Sequence, residues 1–209
     1  MTRIDMTAWP RAEVFGFFST VSNPFYAVTF QLDVTPLAAW AKREGCSFYY
    51  ALVHLCTQAL NQVEAFRYDI ADGQVVMLDG RDPSFTDLHK GSEQFHIVTM
   101  PRMDDLRTFC HEARKRSEAQ STFVQTEAET SSLIYFSCLP WVELTSLTNE
   151  RDFDPDDAIP RIAWGRYVPR DGRLMLGMSM EVNHRFIDGL HIGRFAQALE
   201  SAISKLNEA

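Results

Sequence analysis

No glycine-rich phosphate cradle occurs in the chain: no GxGxxG follows a strand-like run and GxxxxGK[ST] is missing, which counts against a nucleotide-binding fold. Nowhere do 18 uncharged apolar residues run together, the length a helix needs to cross a bilayer. The start, MTRIDMTAWPRAEVFGFF, lacks the basic segment and unbroken apolar stretch of a secretory leader, because Asp5, Arg11 and Glu13 interrupt it. A soluble, cytoplasmic protein without membrane contact is expected. Lys and Arg number 20 against 28 Asp and Glu, for a net charge of -8, and no basic run gathers phosphates; nucleic acid is therefore not an expected partner. The four cysteines, Cys46, Cys56, Cys110 and Cys138, are scattered without the close pairing of a zinc site or a redox dithiol. Free thiols and no metal are the expectation.

What is present is the material of a globular core: 15 Phe, 6 Tyr and 4 Trp in 209 residues, a length suited to one large domain over 1–209. Thr35-Pro36 reads as N-cap and first position of a helix that Gly45 ends, and Ser47 caps a second whose Phe48, Leu52, Leu55 and Ala59 recur at helical spacing. A third is expected from about Met103 to Ala119, and a fourth ends the chain. Between them lie strand-like runs: FYAVTFQLD, RYDI, VVMLD, FTDLH, FHIVTM, LIYFSCLP, RIAWGRYV and LMLGMSMEVNH. Hairpin-length turns such as Pro169-Arg170-Asp171-Gly172 make the fold α/β with a mixed, largely antiparallel sheet. The acidic TNERDFDPDD at 148–157 reads as a surface loop.

The segment MEVNHRFIDGLHIGRF, 180–195, carries the chemistry. Apolar residues at 174, 176, 178, 180 and 182 put one strand face in the core, and His184 shares their parity. After Asp188-Gly189, the residues Ile192, Phe195, Leu199, Ala202 and Leu206 return to helical spacing. A histidine where a buried strand face meets a loop is kept neutral by desolvation, as a general base must be. Spacing alone leaves it either a hydrogen-bonded core residue or a base, and leaves Asp188 an N-cap.

Asn183-His184-x-x-x-Asp188-Gly189 followed by LHIGRF resembles the HHxxxDGFHVxRF signature of chloramphenicol acetyltransferases, trimeric acetyl-CoA-dependent enzymes. Related HxxxDG sequences occur in dihydrolipoyl acyltransferase cores, whose DHRxxDG is similar to NHRFIDG, and in condensation domains. DMTAWPRAEVFGFF, SNPFYAVTFQLDVTPL, FYYALVHLCTQALNQVEAFRYDI, DPSFTDLH and SCLPWVEL extend the resemblance over nearly the whole chain.

The resemblance implies a two-layer sandwich of sheet and helices, a homotrimer with sites between subunits, acetyl-CoA as co-substrate and chloramphenicol as the alcohol. His184 becomes the base, with Nδ1–H bonded to its own backbone carbonyl. Asp188 becomes half of a buried ion pair with Arg11, whose rupture would cost about 3–5 kcal/mol. Ser137 becomes the oxyanion donor, Phe17, Phe18, Tyr26 and Phe95 line the acceptor pocket, and Arg166 keeps a positive charge toward the cofactor. Read without the family, these aromatics are core residues. Asn183 stands where the family has its first motif histidine, Ser47 where it has a lysine near the cofactor phosphates, Ala163 where a threonine holds a water, and Phe18 where a tyrosine is common. These departures keep open an acyltransferase for another small alcohol, a dihydrolipoyl acyltransferase-like core, or a relative that binds without turnover.

Overall fold

A computed structural model describes residues 1–152 and 154–207; Phe153, in the acidic stretch, and the last two residues lie outside the described residues. In chain order the elements are β1 (Thr2–Arg3), α1 (Ala12–Ser19), β2 (Phe25–Asp33), α2 (Thr35–Glu44), α3 (Phe48–Gln62), β3 (Tyr68–Ala71), β4 (Gln74–Met77), β5 (Asp82–Leu88) and β6 (Phe95–Thr99). They continue with α4 (Leu106–Ala119), β7 (Leu133–Leu139), β8 (Arg161–Gly165), β9 (Val168–Arg170), β10 (Arg173–Asn183) and α5 (Gly189–Lys205).

The main sheet runs β2-β10-β8-β7-β5-β6, with β9 paired to β10. β5–β7 and β7–β8 are parallel and the other pairs antiparallel, so the sheet is mixed as expected. A three-stranded sheet, β1-β4-β3, stands apart. Two Asp-Gly hairpins, Asp72-Gly73 and Asp171-Gly172, have positive φ at both residues (51° and 70°; 50° and 76°), the conformation that matches strand twist in a two-residue turn.

Helix starts follow their caps. Ser47 Oγ accepts from Tyr50 N at 3.4 Å, and Gly45, at φ 65°, ends α2. The helix expected from Met103 begins at Leu106, because Asp105 is its cap and accepts from Thr108 N at 2.7 Å. Thr35 is the first residue of α2 and not its cap; Asp33 accepts from its N–H and hydroxyl instead. RIAWGRYV divides into β8 and β9. α1 was not foreseen: FGFF carries apolar side chains all round and none of the helix is fully buried, so it lacks a helical stripe.

In-register rows show the two faces of the sheet. Phe136, Ile162, Met180 and Val28 form one row on the core face, which the helices cover. Ser137, Ala163, Ser179 and Thr29 form the neighbouring row on the other face. That face is crossed by the chain after β7, so closely that a Cβ on Gly177 would strike the Leu144 carbonyl and one on Gly165 would lie 2.6 Å from Leu144 N. Gly177→Ala should therefore destabilise by about 1–3 kcal/mol, read as a Tm lower by roughly 2–4 °C per kcal/mol. Gly193→Ala, with open space around the added methyl on α5, should leave Tm unchanged or raise it.

Candidate active site

β10 ends in a tight turn. His184 N donates to Pro24 O at 2.7 Å, and Asn183 O accepts from Phe186 N (3.1 Å) and Ile187 N (3.0 Å). Arg11, immediately before α1, grips this turn. Its Nε donates to Arg185 O at 2.9 Å, Nη2 to His184 O at 3.0 Å, and Nη1 to Asp188 Oδ2 at 2.7 Å. The other carboxylate oxygen of Asp188 accepts from Leu190 N at 3.1 Å, which caps α5. Cap and ion pair are thus two oxygens of one side chain. The pair is less buried than the resemblance implies: Asp188 is 37% exposed and Arg11 12%. Screening brings the expected cost of breaking it nearer the about 1.5–3 kcal/mol of a charged hydrogen bond. Burial by itself would raise the Asp188 carboxyl, but the Arg11 hydrogen bond and the nearby His191 and Arg11 charges hold it below its ordinary value.

His191 closes the cap. Its Nδ1 accepts from Asp188 N at 3.1 Å, so that nitrogen is bare, and its 3.0 Å approach to Asp188 Oδ1 becomes an ion pair only on protonation. Burial lowers its pKa and outweighs the pull of the Asp188 carboxylate.

The His184 ring stacks on Phe18, centroids 4.0 Å apart at 18°, and leans on Tyr26 at 4.5 Å. Tyr26 OH donates to Ile187 O at 3.4 Å, and burial, then the Asp188 charge, push it up to about 12, so it remains a donor. Nδ1 of His184 is buried without a partner among the described residues. The expected bond from it to its own carbonyl is not formed; that carbonyl is turned to Arg11. Phe17 packs edge-on against Phe18 at 5.1 Å yet is 65% exposed, and Phe95 is 50% exposed beside Phe123. Neither is a core residue.

Ser137 is not brought to His184. It pairs in register with Ala163, and Ala163 with Ser179, so it sits on the face opposite the core. Two strands across and five residues back along β10, at ~4.8 Å per strand and ~3.4 Å per residue, the separation is roughly 20 Å. Phe95 lies on β6, at the other edge of the sheet from β2. Arg166 is exposed just beyond β8, its N–H donating to Val142 O at 2.7 Å. Two grooves, of about 680 and 620 Å³, include neither His184 nor Ser137.

Residues 1–200 match the family profile described as chloramphenicol acetyltransferase. The chain belongs to the chloramphenicol acetyltransferase family. A chloramphenicol acetyltransferase of Escherichia coli is 29% identical over 204 residues, 95% of this chain and 92% of that protein. A solved chloramphenicol acetyltransferase superposes with a TM-score of 0.89 at 28% identity, over 97% of this chain and 100% of that one. The dihydrolipoamide acetyltransferase of Azotobacter vinelandii shares the fold, with a TM-score of 0.70 at 20% identity, over 94% of this chain and 88% of that one.

Asn183 and the acidic stretch are joined behind the turn. Asn183 is 3% exposed, and its Nδ2 donates to Pro155 O (2.8 Å) and Asp157 O (3.0 Å) while Oδ1 accepts from Arg185 N (3.0 Å). It fastens the 155–157 segment behind the turn. The acidic stretch is accordingly more than a surface loop. Arg151, nearly buried, lies 2.6 Å from Glu181 Oε1 without hydrogen-bond alignment and 3.7 Å above the Phe25 ring; Asp157 pairs with Arg161 at 2.9 Å. Alternation of acids and arginines, ERDFDPDD against Arg161, Glu181 and Arg185, was the available sequence signal.

His191, lowered by burial, must take up its proton more readily when unfolded. Its stabilisation is therefore full above about pH 6.5 and lost as pH falls through that value toward the lower folded pKa. Urea unfolding at pH 7.5 and 5.5 should show wild type losing stability on acidification and His191→Asn losing less.

Proposed function

We propose that the chain moves acetyl from acetyl-CoA to a hydroxyl of chloramphenicol, inactivating the antibiotic, by direct transfer within a ternary complex and without an acyl-enzyme. His184 is the general base that takes the proton as the alcohol oxygen attacks the thioester carbonyl. Ser137, whose hydroxyl has no hydrogen bond among the described residues, donates to the carbonyl oxygen as it gains charge. Arg166, exposed beyond β8, supplies positive charge for the cofactor. Ser47, where the family has a lysine, is occupied as the cap of α3 and contributes no charge there.

The observation that carries this reading is the separation of His184 and Ser137. Ser137 lies on the face of the sheet opposite the core and His184 in the turn beyond β10, roughly 20 Å away, so a single chain holds two half-sites that a second copy would complete. A homotrimer with three shared sites, in the cytoplasm where acetyl-CoA is made, meets that requirement. The exposed rings of Phe17, Phe95, Phe123 and Trp141 supply apolar surface for such contacts.

The test is thiol release from acetyl-CoA in the presence of chloramphenicol. His184→Ala should fall to background and Ser137→Ala about 10²- to 10³-fold. Wild type no faster than folded His184→Ala would contradict the catalytic reading; turnover of some other alcohol alone would overturn only the substrate.

A further inference from the structure

α1 has little of its own to hold it in place. It is eight residues long, shorter than the roughly 12–15 residues at which an isolated helix becomes even marginal, and it buries none of them fully. Its last turn contains no basic residue to balance the helix dipole. Yet it carries Phe18, the ring stacked on His184. Arg11 secures its start. Its end is secured by a residue from the motif turn itself.

Arg185, 7% exposed, reaches from the position after His184 to the last residue of α1. Its Nε donates to Ser19 Oγ at 3.0 Å, and the Ser19 hydroxyl donates onward to Phe15 O at 2.7 Å. The relay delivers a positive charge to the C-terminal end of a helix that lacks one. The guanidinium also lies 4.4 Å from the Phe15 ring centroid. On the far side Nη1 donates to Pro155 O and Asp156 Oδ1, both at 2.7 Å, and Asp156 is the balancing charge.

We propose that Arg185 is a positioning residue for the base: by bridging Ser19 and the 155–156 segment it fixes the end of α1 and so holds Phe18 against His184. It touches no reacting atom. The inference rests on the reading of His184 as the base, but its structural half can be read without turnover. Loss of the bridge lets α1 fray from its C-terminal end, and the imidazole loses one wall of its pocket.

The test uses the full chain with Arg185→Met, which keeps bulk and removes charge, Arg185→Lys, and Ser19→Ala, which breaks only the relay. Amide exchange across residues 12–19 and the ring-proton shifts of His184, referenced to Phe18→Leu, are measured without substrate. Arg185→Met should speed exchange in 12–19, leave the centre of β10 protected, and move the His184 signals toward those of Phe18→Leu. Arg185→Lys should recover part of both effects, and Ser19→Ala should give them in weaker form. With substrates, kcat should fall about ten- to a hundredfold in Arg185→Met while KM for acetyl-CoA changes little. If Arg185→Met does not fold, Ser19→Ala decides alone. Unchanged exchange and His184 signals in whichever variant decides would overturn the inference, as would a loosened α1 with kcat intact. A wild type that does not turn over chloramphenicol would count against the proposed function and leave the exchange result standing.

Discussion

Everything at the end of β10 hangs on the guanidinium of Arg11. It binds two consecutive backbone carbonyls and a carboxylate within one five-residue turn, using Nε and both terminal nitrogens. That fork geometry is available only to arginine; a lysine could meet one of the three acceptors with comparable direction. The turn would otherwise present free carbonyls at 184 and 185. With Arg11 in place the strand exit, the cap of α5 and the start of α1 become one unit. The Asp188 carboxylate serves as N-cap and counter-ion together, because a carboxylate can accept on both oxygens at once.

The same turn is braced from behind by different chemistry. Asn183 and Arg185, the residues on either side of His184, both donate to the carbonyl of Pro155. Their side chains diverge from that of His184, so the histidine projects toward Phe18 and Tyr26 while its neighbours bind the acidic segment. Asn183 therefore belongs to the brace and not to the side of the turn that meets Phe18 and Tyr26. Glycine supplies the remaining constraint: at Gly165 and Gly177 the crossing segment comes so near the sheet that only a residue without Cβ fits.

Period-two patterning in β10 told which face His184 accompanies, and the motif at 183–189 with its counterparts along the chain told which family's architecture to expect. The other strands from β2 to β8 were readable as apolar, β-branched and aromatic runs, whereas β9 was hidden within RIAWGRYV. α1 escaped because its apolar residues face several ways and are retained by hydrogen bonds from Arg11 and Arg185, which are not neighbours in sequence. The packing of the acidic stretch escaped because charged residues usually mark solvent; here Arg151, Glu181 and Asp157 are nearly buried together. Arg81, fully buried and donating to the carbonyls of Phe66, Tyr68 and Ser131, escaped for the same reason. The distance between Ser137 and His184 needed the register of three strands.

The proposed function turns on a site shared between copies, with His184 from one chain and Ser137 from another, and mixing two inactive chains reads that arrangement directly. His184→Ala and Ser137→Ala chains are co-expressed, the mixed oligomers isolated, and acetyl transfer to chloramphenicol compared with each parent. In a mixed cyclic trimer one interface of the three pairs an intact His184 with an intact Ser137, giving activity far above the sum of the parents. Mixed oligomers no more active than that sum would mean that each chain completes its own site, and the shared-site arrangement would be wrong.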